Sequence, residues 1–81
     1  MNKIMFFAQI RELIDTDSLL LDAQQLTVAD LLEQLSKRGD KWSLALKEKV
    51  VLCAVNQSLV DFNYLIQPGD EVAFFPPVTG G

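Results

Sequence analysis

Hydrophobic residues recur along this 81-residue chain with two different periods, one typical of strands and one typical of helices. Near the N-terminus, the apolar run KIMFFA predicts a strand over residues 3–8. If Lys3 faces solvent, Ile4, Phe6 and Ala8 point into the core. Residues 17–22 are short, apolar and flanked by acids, which predicts a second strand that closes a hairpin with the first. The segment between the two is expected to be a turn of helix or an irregular link.

One apolar stripe at helical spacing predicts the main helix. Its members fall at positions i, i+3, i+4 and i+7: Val28, Leu31, Leu32 and Leu35. Thr27 is suited to cap the start of this helix, with Asp30 at the third helical position, and Gly39 is suited to stop it. The next stretch, DKWSLALKEK, predicts one or two further helical turns.

The second half of the chain has strand character interrupted by turns. Residues 50–55 are apolar at successive positions, which predicts a strand buried on both faces. Residues 56–58 turn the chain, and residues 59–65 are expected to be a broken strand or a loop. Pro68 and Gly69 are suited to the centre of a type II turn.

The last strand is predicted over residues 71–75 and ends at Pro76 and Pro77, because neither proline can donate to a ladder. This element order predicts an α+β fold, a β-grasp (ubiquitin-like) mixed sheet packed on one main helix with the last strand central. The order alone also fits other small α+β folds. We divide the chain into a β-grasp domain over residues 1–75 and an extended, flexible C-terminal tail over residues 76–81.

Side-chain parity in the last strand predicts an exposed aromatic surface. If Val72 and Phe74 face the helix, then Phe75 and Phe7 lie together on the outer face of the sheet, where Leu59 is placed to join them. An exposed aromatic patch beside the C-terminal tail is typical of a docking surface. The alternative is that these rings pack under a loop.

Composition limits the classes of partner that the chain could bind and the compartment in which it is expected. The net charge is −4 and there is no basic stripe, which argues against nucleic acid and anionic membrane surfaces as partners. No stretch approaches the roughly 20 apolar residues of a membrane span. A single cysteine allows no internal disulfide, and we expect the protein in the cytoplasm.

Chemically active side chains are scarce. Histidine is absent, and one cysteine cannot hold an iron–sulfur cluster. Glu12, Asp15 and Asp17 are interpreted as a solvated turn rather than a metal site, and no metal is predicted. Cys53 lies in an apolar strand and is interpreted as core filler rather than a sulfur-handling thiol. The folded body is therefore not expected to act as an active site or to bind a cofactor.

The chain end, PPVTGG, is the remaining candidate for chemistry. A carboxylate becomes an electrophile once activated, for example as an acyl-adenylate, and glycine lets backbone pass closest through a narrow channel. The prolines hold the exit extended, and Thr79 is suited to hydrogen-bond along such a channel. These features favour a reactive tail over two alternatives, a frayed end or a remnant of cloning.

The ending FFPPVTGG, the opening FFAQIRE and the stretch AVNQSLV before a proline–glycine turn together resemble the small, sulfur-carrier subunit family of molybdopterin synthase. The resemblance covers the whole chain and implies a β-grasp fold. It also implies that an ATP-dependent activating enzyme adenylates Gly81 and that a sulfur donor converts it to a thiocarboxylate. ATP then serves the activating enzyme, and the carrier itself supplies no catalytic side chain.

The resemblance further implies a partner, the large subunit of molybdopterin synthase, in a heterotetramer of two small and two large subunits. There the sulfur passes to cyclic pyranopterin monophosphate, and two transfers build the dithiolene of molybdopterin. By matching position, the reactive residue is Gly81, and the residues in the partner's channel are Pro76, Pro77, Val78, Thr79 and Gly80. The candidate interface residues are Phe7, Leu59, Phe75 and, for a polar contact, Arg11.

Three alternatives share parts of this picture. A sulfur carrier for thiazole or tRNA thiolation has the same tail chemistry and a different partner. A ubiquitin-like modifier would join Gly81 to lysines through isopeptide bonds. A plain interaction domain would have an inert tail, so that deletion of Gly80 and Gly81 would change nothing.

Overall fold

The computed structural model describes residues 1–77, and within them five strands and three helices follow one another. In chain order they are β1 (Asn2–Phe6), α1 (Ala8–Ile14), β2 (Ser18–Leu21), α2 (Val28–Ser36), α3 (Asp40–Leu46), β3 (Leu52–Val55), β4 (Ser58–Val60) and β5 (Glu71–Phe75). None of the helices in residues 1–77 has the length and apolarity that crossing a bilayer requires.

The strands form one mixed sheet in the order β2-β1-β5-β3-β4. β1 and β5 run parallel, with Ile4 opposite Val72 and Phe6 opposite Phe74, and the other neighbours are antiparallel. The last strand is therefore central, as predicted, and the arrangement is a β-grasp fold.

The core lies between one face of this sheet and the helices. Ile4, Phe6, Val72 and Phe74 are all at most 1% exposed, so the predicted inward parity of β1 and β5 is confirmed. The Phe6 and Phe74 rings stack at 6.2 Å between centroids, and Trp42 of α3 meets Phe6 edge-on at 5.6 Å. Aromatic pairs of this kind stabilise a core beyond the area that they bury.

The main helix, α2, begins as the sequence predicts. Thr27 Oγ1 accepts from the Asp30 amide at 3.1 Å, and the Asp30 carboxylate accepts from the Thr27 amide at 3.3 Å, which completes a capping box. The next two amides, of Val28 and Ala29, donate to carbonyls of the loop that follows β4. These bonds fix the start of α2 to the loop that follows β4.

The prediction for the first strand was wrong at its end. The strand stops at Phe6, and Ala8, expected to point into the core from a strand, begins α1 with φ of +54°. The segment after it is a seven-residue helix rather than an irregular link, so β1 and β2 pair across a helix and do not form a tight hairpin. Ile10 and Ile14, four positions apart, bury the inner side of this helix.

Two other local predictions need correction. Gly39 does not stop α2. The helix ends at Ser36, and the Lys37 and Arg38 amides donate to the carbonyls three residues back instead of four. Gly39 instead caps the start of α3. Strand β3 is not buried on both faces. Cys53 and Val55 are buried, whereas Leu52 and Ala54 are half-exposed on the outer face. Within residues 1–77 no helix covers the outer face, because all three helices pack on the other side.

A polar network closes the end of the sheet where β5 begins. The Asp70 carboxylate accepts from the Gln67 amide at 2.9 Å, the Asn56 side-chain amide at 2.8 Å and the Tyr64 hydroxyl at 3.0 Å. Asn2, fully buried at the start of β1, donates to the main-chain carbonyls of both Gln67 and Asp70. The predicted type II turn lies inside this network, with Gly69 at φ +82°.

Burial disfavours the charged form of Asp70, but the three donors outweigh that effect and hold the pKa of its carboxyl below the ordinary value of 3.8. The same contact raises the pKa of Tyr64, whose hydroxyl donates to the carboxylate. Because the pKa of Asp70 is lower in the folded state, its stabilisation is complete above the ordinary value and is lost as the pH falls through the folded value.

We predict that Asp70→Ala lowers the free energy of unfolding by about 2 to 4 kcal/mol at neutral pH, because three part-buried donors lose a charged acceptor. Urea denaturation at a series of pH values measures this. The difference from wild type should shrink as the pH falls below 3.8, because Asp70 then becomes protonated first in the unfolded chain. Glu48→Ala removes the same charge from an exposed position and serves as the control; equal losses in the two variants would contradict the role of the network.

The turn between β3 and β4 gives a second stability prediction. Asn56 and Gln57 form a two-residue hairpin connection with φ of +50° and +71°, a geometry that favours glycine. Gln57→Gly should therefore raise the free energy of unfolding by about 0.5 kcal/mol. Asn56→Gly should lower it by about 1 to 2 kcal/mol, because Asn56 also bonds to Asp70 and to the Glu71 amide. Thermal denaturation of both variants measures this, and stabilisation by both substitutions would contradict it.

Candidate functional site

The outer face of the sheet carries apolar side chains that no helix covers in the described part of the chain. One row crosses four strands and is apolar throughout: Met5, Ala73, Ala54 and Leu59. In the next row Phe75 pairs with Leu52, and Phe7 follows the end of β1. We call these seven residues the outer-face patch. An apolar surface of this extent on a small domain indicates an interaction site.

The structure places the predicted interface residues on this common face. Phe7 extends the parallel ladder by one bond, its amide donating to the Phe74 carbonyl at 3.1 Å, so that it lies beside Phe75. Phe7 is 45% exposed and Phe75 is half-buried. Leu59 is 69% exposed but lies two strands from β5, separated from the aromatic pair by β3. The face follows the predicted parity; the use of these residues as an interface stays a prediction.

Arg11 lies at the edge of the outer-face patch. Its guanidinium Nε is 3.7 Å from the Asp17 carboxylate, and the two side chains are 51% and 85% exposed. An exposed ion pair of this length contributes about 1 kcal/mol at most. Arg11 and Phe7 line one shallow depression on the outer face together with Lys3. The guanidinium is thus exposed beside Phe7, and a polar contact of Arg11 with a partner stays a prediction.

The tail leaves the sheet next to α1. Strand β5 ends at Phe75, and Pro76 and Pro77 follow it along the wall of a cavity that Ala8 and Ile10 also line. The remaining predicted tail residues lie outside the described residues: Val78, Thr79, Gly80 and Gly81. Their roles stay predictions.

The described part of the chain offers little chemistry of its own. Cys53 is fully buried, and burial raises the pKa of its thiol to about 12, so it is core filler as predicted. Within residues 1–77 no group of three or more Cys, Asp or Glu side chains could hold a metal ion. Of the acidic cluster, Asp17 pairs with Arg11, and Asp15 ends α1 in a left-handed conformation.

Sequence reasoning missed four members of the outer-face patch. Met5 and Ala73 were available from the alternation of β1 and β5 once the inward residues were assigned. Leu52 and Ala54 were not, because the continuous apolar run of β3 predicts burial on both faces. Only the strand order shows that β3 is covered by helices on one side alone.

Comparison with known proteins identifies the family. Residues 4–81 match the ThiS family model. The chain belongs to the ThiS family. This ThiS-family chain is 51% identical over 81 residues to the molybdopterin synthase sulfur carrier subunit of Escherichia coli K12, with all of both chains covered.

Solved structures agree with this assignment. A structure from Pyrococcus furiosus is 32% identical, with a TM-score of 0.77, and the match covers 95% of the ThiS-family chain and 97% of the other. A second match, 26% identical with a TM-score of 0.68, is a complex of subunits 1 and 2 of molybdopterin-converting factor from Helicobacter pylori. That match covers 99% of this chain and 97% of the chain compared.

We predict that Cys53 resists alkylation in the folded protein. Its thiol is inaccessible and, with a pKa of about 12, almost entirely protonated at pH 8. Labelling with iodoacetamide, followed by mass spectrometry, should proceed only at the rate of unfolding and become fast in denaturant. Rapid stoichiometric labelling without denaturant would contradict the core role.

Proposed function

We infer that this chain is the sulfur carrier subunit of a molybdopterin synthase. The observation that carries this inference is the 51% identity, over the full length of both chains, to the Escherichia coli subunit of that name. The Helicobacter pylori structure, in which subunits 1 and 2 of molybdopterin-converting factor form one complex, supports the large subunit as the partner.

The proposed chemistry takes place at the carboxylate of Gly81. An oxygen of this carboxylate attacks the α-phosphorus of ATP on an activating enzyme, and pyrophosphate leaves. Sulfur from a donor, at the oxidation level of sulfide, then attacks the acyl-adenylate carbonyl and AMP leaves, so that a thiocarboxylate replaces the carboxylate. In the large subunit the sulfur passes to cyclic pyranopterin monophosphate, and two carriers in turn complete the dithiolene of molybdopterin.

Side chains of the folded body support a carrier role rather than a catalytic one. The one thiol, Cys53, is buried and protonated, and the sequence contains no histidine to act as a general base. Asp70, the most buried carboxylate of the described residues, is engaged in the network that closes the sheet. Acid, base and phosphate-binding groups are therefore assigned to the partners.

The outer-face patch gives the carrier a means of binding before its tail is engaged. Burial of a Phe or Leu side chain contributes about 1.5 to 3 kcal/mol, and Phe7 and Leu59 are both well exposed. Docking through this patch places Pro76 and Pro77 at the mouth of the partner's channel. We further propose assembly as two small and two large subunits, in the cytoplasm.

We predict that the protein purified from a host with the pathway enzymes gains the mass that corresponds to exchange of one oxygen for one sulfur. Fragmentation in the mass spectrometer should place the change at Gly81, because the activated group is the terminal carboxylate. Intact-mass spectrometry of the wild-type protein and of a variant lacking Gly81 measures this, and only the wild type should change.

Two outcomes would contradict the proposal. An unmodified mass after incubation with the activating enzyme, ATP and a sulfur source would exclude a thiocarboxylate carrier. Conjugates of higher mass on a denaturing gel, lost on deletion of Gly81, would indicate a protein modifier instead.

A further inference from the structure

A groove lies on the helix side of the point where the tail leaves the fold. Its first part is a cavity of about 350 Å³, with Pro76 and Pro77 on one wall and Ala8, Ile10 and Val50 on the others. Its second part, a cavity of about 430 Å³, lies between α1 and the end of α3 and is lined by Leu13 and Leu44, among others. Gln9 and Lys49 line both parts, so the two are adjacent. We call it the α1–α3 groove.

The α1–α3 groove exposes apolar side chains that the fold does not use. Val50, in the link between α3 and β3, is 69% exposed, and Leu44 on α3 is 39% exposed. Val51, the next residue, is buried in the core, so the Val50 side chain points outward. A polar residue would fit this exposed position equally well. Exposed apolar side chains that line a concavity are typical of a binding site.

The position of the groove restricts what can cover it. Pro77 forms part of its wall, and the four residues that remain, 78–81, span at most about 14 Å when extended. A protein that acts on the Gly81 carboxylate must therefore approach to within that distance of the groove. Phe7 and Phe75 lie on the outer face where Pro76 begins, and Val50 lines the same cavity as Pro76 and Pro77 on the helix side. A narrow channel that encloses the chain from Pro76 onward therefore meets both sides.

The charge of the groove indicates the chemistry of its occupant. Lys49 lines both parts of the groove and makes no ion pair within residues 1–77. Glu12 lies on the wall of the second part. Lys49 therefore favours a carboxylate on the incoming surface.

We propose that the α1–α3 groove is a second docking site for the large subunit, which inserts an apolar side chain against Val50 and presents a neighbouring carboxylate to Lys49. The proposal rests on the proposed function, since it takes the large subunit as the protein that encloses the tail. The carrier is then held on both sides of the tail, by the outer-face patch and by the groove.

Calorimetric titration of the purified large subunit with carrier variants tests the proposal. Val50→Asp should raise the dissociation constant about 10-fold or more, because a charge replaces the apolar contact. Leu65→Asp is the matched control: Leu65 is 48% exposed, next to the polar network at the opposite end of the sheet, and its substitution should change the constant less than about twofold. Melting temperatures of the variants, measured alongside, show whether each is folded.

A charge reversal tests the second part of the proposal and does not depend on Val50. Lys49→Glu should raise the dissociation constant about 5-fold at low salt, with a smaller effect at high salt. Lys41→Glu makes the same change at an exposed position of α3 that does not line the groove, and should have little effect.

The results distinguish failure of the groove proposal from failure of the proposed function. If Leu59→Asp on the outer-face patch weakens binding while Val50→Asp and Lys49→Glu leave it unchanged, the groove is not an interface and the proposed function stands. If the wild-type carrier does not bind the large subunit at all, the proposed function fails and the groove proposal fails with it.

Discussion

The parallel pairing of β1 with β5 is the interaction on which the rest of the molecule depends. It joins the two ends of the described chain and buries Phe6 against Phe74 in the centre of the core. Almost the whole sequence lies between the paired strands, so this contact closes a long loop and fixes the helices on one side of the sheet. It also decides where the tail begins, since the end of β5 can only emerge beside Phe7 and the start of α1.

The two ends of this strand pair are built differently. At the start of β5, the bonds of Asn2 and Asp70 satisfy the buried polar groups and hold the turn around Gly69 in place. At the other end, hydrogen bonding stops at two prolines, and the surrounding surface is apolar and open on both sides of the sheet. A rigid end and an accessible end suit a protein whose body must hold its shape while its C-terminus is handed to another protein.

This arrangement separates recognition from chemistry. The body offers surfaces with apolar character and a fixed geometry, whereas its one thiol is withdrawn into the core at Cys53. A carrier benefits from that separation, because a reactive thiol near an activated acyl group would compete for it. The reacting group can then be a main-chain carboxylate that is positioned wholly by the partner.

The sequence by itself determined the elements whose signals are local: the capped helix α2, the inward parity of Ile4, Phe6, Val72 and Phe74, and the turn at Gly69. The tail chemistry indicated by the chain end PPVTGG stays a prediction. Tertiary structure decided what depends on contacts between distant segments. The short helix α1 is too brief to form alone and is stabilised by packing through Ile10 and Ile14. The exposed sides of β3 and Val50 follow from strand order and from which face the helices cover, and neither is written in a local pattern.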